Sequence, residues 1–92
     1  MKLRFTFEAL SHLDAIHFFI EPRSRPAATH ILNRIFAECD RLAEFPELGH
    51  TGVVSGTQEW TVSGLPYVIV YEINEKRVEL VVLGIFHGSQ SR

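Results

Sequence analysis

A single cysteine, Cys39, stands in the sequence. That excludes an internal disulfide and any cysteine-rich metal framework. No stretch approaches the ~20 consecutive apolar residues that a membrane span requires. A basic excess is also missing: 9 Lys and Arg against 11 Asp and Glu give a formal charge of −2. Dedicated nucleic-acid binders usually carry a clear positive balance. More locally, no lysine or arginine occurs from Leu42 through Glu75. The opening MKLRFTFEAL is interrupted by Arg4, Thr6 and Glu8 and so lacks the apolar core of a signal peptide. A cytoplasmic protein without membrane contact is the expectation. No phosphate-binding glycine loop, nucleophile elbow or zinc motif is present. His12 and His17 lie five apart, about 140° around a helix, a poor arrangement for one metal. Neither a metal nor a cofactor is expected.

What is there suits a single small domain over residues 1–92, with 46% hydrophobic residues to build one core. KLRFTF alternates, with Leu3, Phe5 and Phe7 on one side, which predicts a short half-buried strand. Thr6 can cap a helix whose inward stripe is Leu10, Leu13, Ile16, His17 and Ile20, ending by Pro22. Ser24 can cap a second helix with Pro26 in its first turn and the stripe Ile31, Leu32, Ile35, Cys39 and Leu42. Pro46 stops it. ELGHTGVVSG reads as loop. TQEWTV, PYVIVYEI and RVELVVLGIF follow as strands, the last two apolar on both faces and hence central in a sheet. Gly84 marks a bulge or a close backbone approach. The expected fold is α+β. It has an N-terminal strand, an antiparallel helical hairpin, then a three-strand antiparallel meander forming a sheet packed on the helices.

Four pieces in this order resemble the RelE/ParE superfamily of toxins from type II toxin–antitoxin modules. They are RPAATHILNRI at 25–35, LAEFPELGHTG at 42–52, EWTVSGLPYVIVYEI at 59–73 and VELVVLGIFHGSQSR at 78–92. The resemblance covers almost the whole chain. It implies a cognate antitoxin as partner. It also implies one of two targets: DNA gyrase for ParE-like members, or messenger RNA in the ribosomal decoding site for RelE-like members.

The residues favour the first. Metal-free RNA cleavage needs a base, an acid and cations at the phosphate. The nuclease arm of the family often carries an arginine in the strand that ends in Val-Tyr; here Val68 stands in its place. Losing such a cation costs on the order of a few kcal/mol of transition-state stabilisation. Two candidate catalytic groups remain. His87 could act as an acid near neutral pH, or simply close its strand. Glu59 could act as a base, or be an ordinary solvated position on a strand. Tyr67, Tyr71 and Trp60 read as core.

The chain is therefore expected to act by binding gyrase, without specific DNA binding of its own. The alternatives are a ribosome-dependent endoribonuclease using His87 and Glu59, and an inactive relative that only binds antitoxin. Arg34 and Arg41 share a helical face, and Arg23 and Arg25 crowd the interhelical turn. With His87 and Arg92 they form a candidate surface for antitoxin or gyrase. Phe18, Phe19 and Phe36 fall off the inward stripes and are candidate anchors for a partner helix.

Overall fold

The computed structural model describes residues 1–88 of the chain. Strand β1 (Lys2–Phe5) leads into helix α1 (Phe7–Ile20). Thr6 is its N-cap, with Oγ1 accepting from the Ala9 N–H at 3.1 Å. Helix α2 (Arg25–Glu44) starts in the same way, the Ser24 hydroxyl accepting from Ala27 N–H at 3.2 Å. Each cap supplies an acceptor that the first helical turn lacks internally. Pro22 sits in the turn between the helices. A 3-10 turn, Pro46–Leu48, follows α2. Strands β2 (His50–Thr51), β3 (Gln58–Thr61), β4 (Tyr67–Asn74) and β5 (Glu79–His87) follow among the described residues.

The fold is α+β, with the helical hairpin on one face of a five-stranded sheet ordered β1-β5-β4-β3-β2. The β3–β4–β5 meander is antiparallel throughout. Two features depart from the expectation. β2 emerges inside the stretch read as loop, pairing antiparallel with β3. β1 joins the far edge parallel to β5, Lys2 opposite Glu79 and Phe5 opposite Val82, so the sheet is mixed. Pairing between the two ends of a chain leaves no local sequence signal.

One core lies between sheet and hairpin. Leu13 of α1, Ile35, Cys39 and Leu42 of α2, Ile69 and Tyr71 of β4, and Leu80, Val82 and Ile85 of β5 form it. Leu10 was expected on this stripe and faces outward instead, as does Phe7, which belongs to α1 and not to the strand. The Tyr71 hydroxyl donates to Pro46 O at 2.6 Å and accepts from Gly49 N–H at 3.1 Å, tying the exit of α2 to the sheet.

Register slips between Val70 and Tyr71: they pair with Gly84 and Val82, leaving Leu83 as the extra residue of a bulge. Gly84 is also a close approach. A Cβ there would lie 2.7 Å from the Phe86 ring and 3.0 Å from the His12 ring. Beyond the end of β1, α1 takes over the free edge of β5. Thr6 Oγ1 donates to Leu83 O at 3.2 Å, and His12 Nδ1 accepts from Ile85 N–H at 3.1 Å.

Candidate functional site

Because β-strand side chains alternate, the sheet presents two surfaces with different chemistry. On the helix side, at the C-terminal end of β5, a cleft of about 420 Å³ opens between α1 and the sheet. Phe19, His12, Tyr67, Phe86 and His87 line it with rings, and Ala15, Ile16 and Ile85 complete the walls. Tyr67 and His87 are register partners whose rings meet edge to face at 5.8 Å. Burial pushes the Tyr67 phenol above its ordinary range, since desolvation disfavours the phenolate. Of the residues singled out in the sequence, this cleft brings together His87 and Phe19. It adds His12, Tyr67 and Phe86, which sequence reasoning did not assign to a site. The available signal was His12 itself, a polar ring bordering the inward stripe of α1.

The opposite face of the sheet is not covered by a helix. The loop 52–57 folds back over it, and a groove of about 270 Å³ is lined by Val53, Val54, Thr57, Glu59, Val70, Leu83 and Phe86. Glu59 is buried at 5% exposure, unlike the solvated position read from the alternation of its strand. Its Oε2 accepts from Val53 N–H at 3.1 Å, so the carboxylate pins the loop to β3. Val68 is buried on this same face, next to Val70 in the even-numbered set of β4. Glu59 pairs with Val70 while His87 pairs with Tyr67, so the two candidate catalytic groups project from opposite faces of the sheet. Strands β2 to β5 carry no lysine or arginine at all. The sheet's cations are Lys2 and Arg4 on β1, and Arg4 Nε lies 3.5 Å from Glu79 Oε1, with Arg77 Nε also at 3.5 Å.

The remaining basic candidates sit on the helices. Arg34 donates from Nη2 to Ser63 O at 2.8 Å, bridging α2 to the β3–β4 turn. Arg41 lies 5.9 Å over the Trp60 ring and 3.9 Å from Glu38 Oε1. That same carboxylate oxygen accepts from Trp60 Nε1 at 2.7 Å. These two arginines therefore belong to a seam between α2 and β3. Arg23 stacks 4.7 Å over the Phe19 ring, and Arg25 is exposed in the first turn of α2. Phe18 and Phe19 are exposed; Phe36 is partly covered by an edge contact with Phe5 at 5.8 Å. Arg92 lies outside the described residues.

A mixed sheet backed by a helical hairpin on one face, with no lysine or arginine on four of its five strands, defines a small α+β fold. The family model described as the ParE toxin of type II toxin–antitoxin system, parDE, matches residues 3–92. The chain belongs to that family and is a toxin of the RelE/ParE superfamily. A curated relative from Sinorhizobium fredii, "Putative toxin Y4kP", is 34% identical over 89 residues, covering 97% of this chain and 90% of the relative. Among solved structures, the chromosomal ParDE system of P. aeruginosa has a TM-score of 0.81 at 22% identity, over 95% of both chains. The intact E. coli RelBE toxin–antitoxin complex has a TM-score of 0.71 at 13% identity, over 97% of this chain and 98% of that one. At these identities the structural likeness speaks to the fold.

Proposed function

We propose that this toxin acts in the cytoplasm by binding and inhibiting DNA gyrase, and that a cognate antitoxin neutralises it. One observation carries the reading: the strands β2 to β5 hold no lysine or arginine, and the helix-free face of the sheet forms, with the 52–57 loop, an apolar groove containing a buried carboxylate. A phosphodiester needs positive charge where its own negative charge grows. Val68, Val70 and Leu83 cannot supply it, and Glu59 would repel the phosphate. His87, on the other face, lacks a lysine or arginine on its own strand or on β4. An apolar surface of this kind suits a protein partner better than RNA.

The antitoxin reading is supported by the two solved relatives, which are a ParDE system and a RelBE toxin–antitoxin complex. Phe18 and Phe19 are the candidate anchors for it. Arg23, Arg25 and His87 are the candidate contacts for gyrase. The test is DNA supercoiling by purified gyrase with antitoxin-free, folded toxin titrated in. Inhibition that disappears on adding antitoxin is the expected result. No inhibition at large molar excess, together with ribosome-dependent cleavage of messenger RNA lost in His87→Ala, would replace this reading with the nuclease one.

A further inference from the structure

The cleft between α1 and the end of β5, at about 420 Å³, falls within the range of roughly 300–1,000 Å³ typical of small-molecule pockets. Five of its eight lining residues carry rings, and among the described residues no Asp, Glu, Lys or Arg lines it. His12 belongs to the α1 wall. Its Nδ1 accepts from Ile85 N–H at 3.1 Å, which leaves the ring proton on Nε2 and makes that atom a donor. Tyr67 belongs to the sheet wall and is half-buried. Neither His12 Nε2 nor the Tyr67 hydroxyl meets a hydrogen-bond partner among the described residues. Beside the cleft, the exposed Arg23 guanidinium lies 4.7 Å over the Phe19 ring, with no carboxylate partner among the described residues.

From this arrangement we propose that the cleft binds a free purine nucleoside monophosphate, its base among the rings and its phosphate at Arg23. Ring-lined walls favour a planar aromatic body, and a two-ring purine covers more of them than a pyrimidine does. Hydrogen-bonding groups on two walls call for acceptors on two sides of that body, as purine N7 and N3 provide. A side chain from a protein partner fits less well. Phenylalanine brings no acceptor, tryptophan only a donor, and tyrosine a single oxygen. A cationic ligand would find no acid in the cleft and Arg23 beside it. A guanidinium stacked on a ring still offers its forked donors to a phosphate. Charge also separates a free nucleotide from a base within a strand. Arg23 can hold one phosphate group, and β2 to β5 have no lysine or arginine to carry a longer backbone onward. The inference does not depend on whether the toxin's target is gyrase or the ribosome.

The experiment titrates AMP into folded, antitoxin-free toxin, followed by calorimetry and by amide NMR. Saturable binding is expected, with the largest shifts at Ala15, Ile16 and Ile85. Tyr67→Phe keeps the ring and is expected to weaken binding about fivefold to tenfold. Ala15→Trp fills the cleft and is expected to abolish binding. Arg23→Gln should erase the advantage of AMP over adenosine while leaving adenosine affinity unchanged. Thermal unfolding checks that each variant folds. No saturable binding at about 1 mM AMP overturns the proposal. Wild-type affinity in both Tyr67→Phe and Ala15→Trp does the same, since the ligand would then sit elsewhere. CMP binding as tightly as AMP removes the purine assignment. A single-stranded oligodeoxynucleotide binding more tightly than AMP removes the free-nucleotide one. None of these readouts involves gyrase, so their failure and that of the gyrase reading are seen separately.

Discussion

A phenol hydroxyl at the centre of β4 holds the segment that leaves α2. Tyr71 is fully buried, donates to Pro46 O and accepts from Gly49 N–H, so both of its polar directions are used. Tyr71→Phe is expected to keep the ring packing and to strand two backbone groups, costing about 1–3 kcal/mol. Urea unfolding measures it directly; an unchanged midpoint would mean that neither bond contributes. The sequence placed Tyr71 in the core but gave no hint of its partners, because they lie more than twenty residues upstream. Glu59 was harder still. Alternation along β3 sets it on the face opposite the core, and nothing local says that the 52–57 loop will fold over that face and bury it. Trp60 packs against the core as its aromatic character implies, while its bond to Glu38 comes from helix–strand geometry alone.

At the scale of elements, helices were the legible part. Thr6 and Ser24 occupy N-cap positions with the hydrogen bonds expected of them, and proline placement marked where each helix had to end or begin. The meander was legible from its near-continuous apolar strands. β2 was not, since two residues in a glycine-containing stretch carry no periodicity, and the outward turn of Leu10 was not, since α1 is apolar on both sides. α1 does more than bury a stripe: it finishes an edge of the sheet that β1 is too short to cover. His12→Leu removes the acceptor of Ile85 N–H and is expected to cost about 1–3 kcal/mol. Amide exchange provides the specific readout, with Ile85 accelerated more than Val82, whose partners lie within the β1-covered part of the strand. Equal acceleration of both would point to global loosening and against an edge-sealing role.

For the molecule as a whole, two buried acids, Cys39 and Tyr71, and the half-buried Tyr67 set a limit at high pH. Burial, reinforced by Asp40 and Glu38, pushes the Cys39 thiol from its ordinary 9.0 up to about 12. Burial also raises Tyr67 and Tyr71 above their ordinary 10.0. In each case the folded value exceeds the unfolded one, so the folded state favours the protonated form. That contribution is fully present below about pH 9 and is lost as pH rises toward 12. The thermal midpoint is therefore expected to fall across this window, and less steeply in Cys39→Val. A midpoint that holds constant there would refute the assignment. The same burial leaves the thiolate inaccessible, so alkylation of Cys39 should follow unfolding rather than reagent concentration.

The parallel pairing of β1 with β5 joins the first strand of the fold to its last, across more than seventy residues of sequence. Lys2 N–H donates to Val78 O at 2.9 Å, and the terminal ammonium reaches Ala43 O at 2.8 Å. While the chain is still being translated, β1 has no strand to pair with and α1 has no sheet edge to seal. Closure of the fold must therefore wait until β5 has left the ribosome. Until then the nascent domain is by construction an open chain, and its surfaces come into being only when the last strand pairs with the first.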